Sequence, residues 1–172
     1  MSSLVTYVLD ANVFIEAKRR YYAFDLCPGF WDALVWNQAK GRVVSIDRIK
    51  EELLRGGDDL ADWATSTMPS DGFASTDEQG VVEWFGRMVA WVQAEPQFSP
   101  EAKAQFAREP DGWLVAYAKA KGHVLVTHEV LARDAKKNVP ISNVCQAFNV
   151  PFMDSFEMLK TLTVLFTWRA PT

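Results

Sequence analysis

A chain of 172 residues is short enough for one domain and long enough to bury a real core. Its hydrophobic content of 49% and charged content of 23% are those of a globular protein and exclude a low-complexity chain. The net charge of −4 gives no whole-molecule field that announces a nucleic-acid binder, although acids neutralised by a metal would make the local field less negative than the total.

Residues 4–9 are a short, nearly continuous apolar run with β-branched and aromatic members, which predicts a strand buried on both faces. Residues 11–20 read as a helix, with Val13, Phe14 and Ala17 apolar and Lys18, Arg19 and Arg20 in the last turn. Pro28 and Gly29 break the chain. Residues 30–40 predict a second amphipathic helix closed by Gly41. A second strand is expected over 42–46, then a helix over 47–55 ended by Gly56 and Gly57. A short helix over 58–66 turns Leu60, Ala61 and Ala64 inward, and 68–76 is turn-like with a short strand around Phe73.

A helix over 77–94 is stopped by Pro96, and Ser99, Pro100 and Glu101 start another that reaches Arg108. Residues 111–121 predict a helix with Gly122 just past its end, and 123–127 the third clear strand. The remainder reads as a short helix over 143–149, a last strand over 151–153 and a closing helix over 154–166. Strands alternating with helices predict an α/β fold with a parallel sheet covered on both faces. Residues 1–172 read as a single domain, within which the strand-poor stretch 58–108 is expected to be a helical insertion or cap.

Four acids stand where that pattern brings them together. Asp10 ends the first strand and Glu129 follows the third, while Asp111 opens a helix and Glu52 lies inside another. Ligands of open α/β sheets bind outside the carboxyl ends of the strands. A carboxylate cluster there repels itself unless a cation neutralises it, and oxygen ligands suit a hard divalent ion such as Mg²⁺ or Mn²⁺. Each acid has a plainer role open to it. Asp10 and Asp111 are placed to cap helices, and Glu52 flanks the apolar stripe of Ile46, Ile49 and Leu53, with Leu54 widening that stripe. Asp47 reads as a capping residue. Ala116, Ala118 and Ala120 are expected to let their helix approach the sheet closely.

The alternation at a strand end points His128 away from its neighbours Thr127 and Glu129, and His123 reads as structural. Cys27 and Cys145 are far apart and fit no metal spacing, so they read as two buried reduced thiols in a cytoplasmic protein. No segment reaches the ~18 apolar residues of a membrane span. The N-terminal apolar run lacks a cationic region before it, unlike a signal peptide.

Four stretches together resemble a PIN-domain nuclease: Tyr7-Val8-Leu9-Asp10-Ala11-Asn12-Val13-Phe14, Ile49-Lys50-Glu51-Glu52-Leu53, Asp111-Gly112-Trp113-Leu114-Val115-Ala116-Tyr117-Ala118, and Val124-Leu125-Val126-Thr127-His128-Glu129. They look like a prokaryotic branch of that superfamily related to the VapC-type toxins, over residues 4–55 and 109–153. The fourth acid is usually Asp in that family, and Glu129 stands there in this chain. The resemblance implies a three-layer α/β/α sandwich around a parallel sheet. It also implies a metal-dependent endoribonuclease in which Asp10, Glu52, Asp111 and Glu129 hold one or two Mg²⁺ or Mn²⁺ ions. Asn12 and Thr127 would orient water or a phosphate oxygen, and Arg19, Arg20, Arg133, Lys136 and Lys137 are candidates for phosphate contacts.

The related toxins pair with a small antitoxin and often dimerise. The implied partners are therefore RNA, a protein antitoxin and a second copy of the chain, with no membrane. A degenerate module that binds RNA or protein without cutting is the alternative. A receiver-type phosphorylation domain would need a Lys at the end of the last strand, where 151–154 has none. A phosphatase of the DxD type would need a second Asp where Asn12 stands.

Overall fold

The computed structural model describes residues 4–172; the first three residues of the expected domain lie outside the described residues. Five parallel strands form one sheet in the order β3-β2-β1-β4-β5, where β1 is Tyr7–Leu9, β2 Val43–Ile46, β3 Phe73–Ala74, β4 Val124–Val126 and β5 Phe152–Met153. Tyr7, Val8 and Leu9 are all buried, as a central strand covered on both faces requires. Leu4 and Val5 are exposed and stay out of the ladder.

Helices cover both faces, giving a three-layer α/β/α sandwich: α1 Ala11–Glu16, α2 Pro28–Ala39, α3 Asp47–Arg55, α4 Asp59–Ser66, α5 Gln79–Ala94, α6 Pro100–Arg108, α7 Asp111–Lys121, α8 Ile141–Ala147 and α9 Ser155–Thr161. The expected first helix departs from α geometry at its end. Residues Ala17–Tyr21 form a π-helical turn closed by Tyr22 N–H donating to the Ala17 carbonyl at 2.8 Å. The second helix begins at Pro28, which the sequence marked as a break, because Pro at the first helical position loses no needed hydrogen bond.

The stretch 58–108 does more than cap the core. It supplies the edge strand β3, paired to β2, and α5, which packs along α7. The expected closing helix is shorter than its apolar pattern suggested. It ends at Thr161, Thr163 takes φ 56°, and Leu165 and Trp168 are exposed. The β-branched run Thr161, Thr163 and Val164 is a weak helix former. Cys145 is buried, Cys27 is half-buried rather than buried, and both thiols are free.

Strand order positions the site. From β1 the chain moves outward through β2 to β3, then returns to place β4 on the other side of β1. This reversal is a topological switch point, the place in an open α/β sheet where the strand ends leave a crevice. Leu9 pairs with Val126 at its edge, and Asp10 N–H donates to the Val126 carbonyl at 2.9 Å. On the other side, the buried Ser45 hydroxyl donates to the Leu9 carbonyl at 2.6 Å, holding the end of β1 to β2.

Candidate active site

Asp10 is the first residue past β1 and is 3% exposed. It occupies the N-cap position of α1, yet its side chain makes no capping hydrogen bond. One carboxylate oxygen, Oδ2, instead accepts from Thr127 Oγ1 at 2.9 Å. Asp111 opens α7 one position past its N-cap, which is Pro110, so it does not hold the capping position. Neither acid does the capping work that was the plainer explanation for it.

Glu52 is half-buried on α3 while Glu51 and Leu54 face solvent, Leu54 with 41% exposure. The apolar stripe is therefore Ile46, Ile49 and Leu53 without Leu54, and Glu52 lies on its border facing the crevice. Asp47 belongs elsewhere: Oδ1 accepts from Arg48 N–H at 2.8 Å and from Thr76 Oγ1 at 2.9 Å. It binds the first turn of α3 to the segment after β3.

The four acids of the resemblance line a single pocket of about 270 Å³, whose walls also include Asn12, Arg55, Glu109 and Pro110. The sequence reading missed two of these polar members. Arg55 stands three residues after Glu52, the spacing that shares a helix face, so that signal was present. Glu109 precedes Pro110-Asp111, and only the turn between α6 and α7 brings it to the wall.

Burial raises the Asp10 carboxyl from 3.8 to about 7, with repulsion from Glu129 and Glu52 adding and the Thr127 hydrogen bond opposing. Burial likewise raises Asp111 to about 8, and Asp10, Glu129, Glu109 and Glu52 repel its charged form. Glu52 is raised by burial, with Glu109 adding and Arg55 opposing. Glu129 is raised by burial, opposed by a hydrogen bond from Ile141. Carboxyls perturbed by desolvation and by one another in a crevice make it a candidate functional site.

Glu129 uses its length. Its Oε2 accepts the Ile141 N–H at 2.7 Å, at the start of α8, while its own N–H donates to Thr127 Oγ1 at 3.1 Å. Thr127 is thus committed on both sides. Its hydroxyl is buried between Asp10 and the Glu129 backbone, bonded to both, and Thr127 is not among the residues that line the pocket. Asn12 is exposed on the pocket wall, as its expected role requires.

The five candidate phosphate contacts, Arg19, Arg20, Arg133, Lys136 and Lys137, are exposed, and none lines the acid pocket. Arg20 Nε pairs with Glu16 at 3.0 Å. Lys136 and Arg133 lie on the loop after β4, which Asn143 pins through two hydrogen bonds to the Ala132 backbone at 3.0 and 2.8 Å. The cation that lines the pocket is Arg55.

His128 does not line the acid pocket: its Nε2 lies 3.1 Å from Ser155 Oγ, and it lines an adjoining cavity together with Glu129. His123 packs near Tyr117, with ring centroids 6.0 Å apart. Gly112, next to Asp111, packs so tightly that a Cβ there would lie 2.8 Å from Phe106 Cζ and 2.9 Å from Phe85 Cε2. Ala116 and Ala118 are buried as expected, whereas Ala120 faces solvent.

A family description, Domain of unknown function (DUF4411), matches residues 7–166. The chain belongs to the DUF4411 family. The span matched to DUF4411 runs from β1 past α9 and takes in every acid of the pocket. No curated protein matches the chain.

Among the described residues, no three His, Cys, Asp or Glu side chains are gathered into a ready-made metal cage. The acids of this DUF4411 chain line walls rather than meet at a point. The donor chemistry still fits a hard divalent ion: all the acids are carboxylates, and two of them, deeply buried, are raised to about 7 and about 8 by burial first, with repulsion among the acids adding. A cation would relieve that repulsion.

Proposed function

We propose that the acid pocket is the catalytic centre of a Mg²⁺- or Mn²⁺-dependent endoribonuclease of PIN-domain type, the toxin component of a toxin–antitoxin pair. The observation that carries this reading is the convergence of Asp10, Glu52, Asp111 and Glu129. They come from four separate segments and line one pocket at the switch point of the sheet.

Asp10 and Asp111 would hold the ion directly, and Glu52 and Glu129 directly or through water. One or two bound ions would lower the pKa of a coordinated water and offset charge developing on the phosphate. Asn12 presents amide donors to a phosphate oxygen at the pocket mouth. Arg55 offers a planar fork of N–H donors suited to phosphate, and among the described residues it is the one cation that lines the pocket with five acids. Thr127 keeps its proton on Oγ1 and directs it to Asp10 Oδ2, which favours the ionised carboxylate. Hydrolysis at this centre would leave a 5′-phosphate and a 3′-hydroxyl. The antitoxin and a second copy of the chain are the expected protein partners. Among the described residues no helix is long and apolar enough to cross a membrane.

The test is cleavage of a mixed structured RNA by purified protein with Mn²⁺ or Mg²⁺ against EDTA, wild type beside Asp10→Asn. Cleavage that needs both metal and Asp10 supports the reading. Full activity of Asp10→Asn in a clean preparation sinks it.

A further inference from the structure

A second cavity, about 350 Å³, opens beside the acid pocket and shares two of its wall residues, Asn12 and Glu129. Its other walls are Glu16, Tyr21, His128 and Phe156. The volume lies at the lower end of the ~300–1,000 Å³ range of small-ligand sites. Tyr21 and Phe156 meet edge to face with centroids 5.6 Å apart, and the His128 ring lies 5.8 Å from Phe156. Tyr21 is 57% exposed and Phe156 37%, so these rings do not serve the core. Tyr21 is delivered by the π-helical turn, a rare geometry that is frequent at functional sites.

We infer that this cavity seats one unpaired base of a single-stranded RNA whose phosphate lies in the acid pocket. This inference rests on the nuclease reading of that pocket. A nucleobase pairs a flat π-face with a polar edge. The cavity offers aromatic rings for the face and the His128 ring for the edge. The shared wall puts the two sites side by side, as the base and phosphate of one strand are. Stacking on aromatic rings is how single strands are held without sequence-specific contacts. A base locked in a duplex cannot enter, so the seat selects loops and unpaired ends.

The test uses a six-nucleotide single-stranded RNA carrying one 2-aminopurine, whose fluorescence falls when it stacks. It is titrated with protein in Ca²⁺, with intact RNA verified on a gel. Wild type is expected to bind and quench. Tyr21→Ala and Phe156→Ala should each weaken binding about tenfold and reduce the quench. Tyr21→Phe, which keeps the ring, should restore both. An RNA abasic at the probe position should bind wild type and Phe156→Ala equally.

Equal binding and quench by wild type, Tyr21→Ala and Phe156→Ala overturns the seat, as does failure of wild type to bind. The two readings fail separately. Metal- and Asp10-dependent cleavage with both alanine variants unaltered removes the seat and keeps the nuclease. Ring-dependent quenching with no metal-dependent cleavage does the reverse.

Discussion

Thr127 Oγ1 donates to Asp10 Oδ2 at 2.9 Å, although the two residues are 117 positions apart in sequence. The bond spans the ends of β1 and β4, the adjacent strands at which the sheet reverses its order. It couples the charge of the most buried acid to the placement of Glu129, whose N–H donates to the same hydroxyl.

Removing that hydroxyl should therefore weaken metal binding without unfolding the protein. Thr127→Val keeps the shape but withdraws the donor that favours ionised Asp10, so the Asp10 carboxyl moves further above about 7. Loss of a group that orients a ligand lowers metal affinity about 10–100-fold. Calorimetric titration with Mn²⁺ at pH 7 and pH 9 checks this. The deficit should shrink at pH 9, where more of Asp10 is ionised in both proteins, and an equal deficit at both values would remove the electrostatic account.

Stability of the metal-free protein should fall as pH rises. Asp10 and Asp111 ordinarily ionise at 3.8, as they do in the unfolded chain, but in the fold at about 7 and about 8. The unfolded state loses its protons first, so the stabilisation present below about pH 4 is lost as pH rises to about 8. In EDTA the wild-type melting temperature should drop between pH 5 and pH 8 by more than that of Asp10→Asn. Saturating Mn²⁺ should reverse the drop. Parallel profiles for the two proteins would show that Asp10 carries no such strain.

Gly112→Ala should destabilise the fold and displace Asp111. The added Cβ would meet the rings of Phe106 and Phe85 at 2.8 and 2.9 Å, and Phe85 is itself stacked on Trp113 with centroids 3.9 Å apart. Rings held this way yield little, and overpacking of this kind costs about 1–3 kcal/mol. Urea unfolding reads the loss. An unchanged midpoint would mean that the first turn of α7 slides freely.

Glu129→Asp tests why the longer acid stands at this position. The shorter arm should release the Ile141 N–H that Glu129 Oε2 accepts at 2.7 Å. The expected cost is about 1 kcal/mol, with faster hydrogen exchange of the Ile141 amide. If exchange there stays slow, the α8 terminus has found another acceptor and Glu129 does not anchor it.

Sequence alone determined the alternation of elements and the position of Asp10 at a strand end, because both are local; the meeting of Asp10 with Glu52, Asp111 and Glu129 in one pocket needed the fold. Short apolar runs mark buried strands, and a carboxylate directly after a strand falls at its end wherever the strand lies in the sheet. Gly122 shows the same legibility: it takes φ +69° as the residue that ends α7. Tertiary structure decided what depends on elements distant in the chain. The π-helical turn at Ala17–Tyr21 and the early end of α9 were not written in the apolar pattern. Only the strand order brings Thr127 to Asp10.

The same holds for the cations. Arg19, Arg20, Arg133, Lys136 and Lys137 looked suitable by composition, yet Arg55 lines the pocket because α3 faces the crevice. Burial sets the unusual acidity of Asp10 and Asp111, since the cost of a charge depends on everything packed around it. A sequence names the ionisable groups, but the fold sets how far each is removed from water.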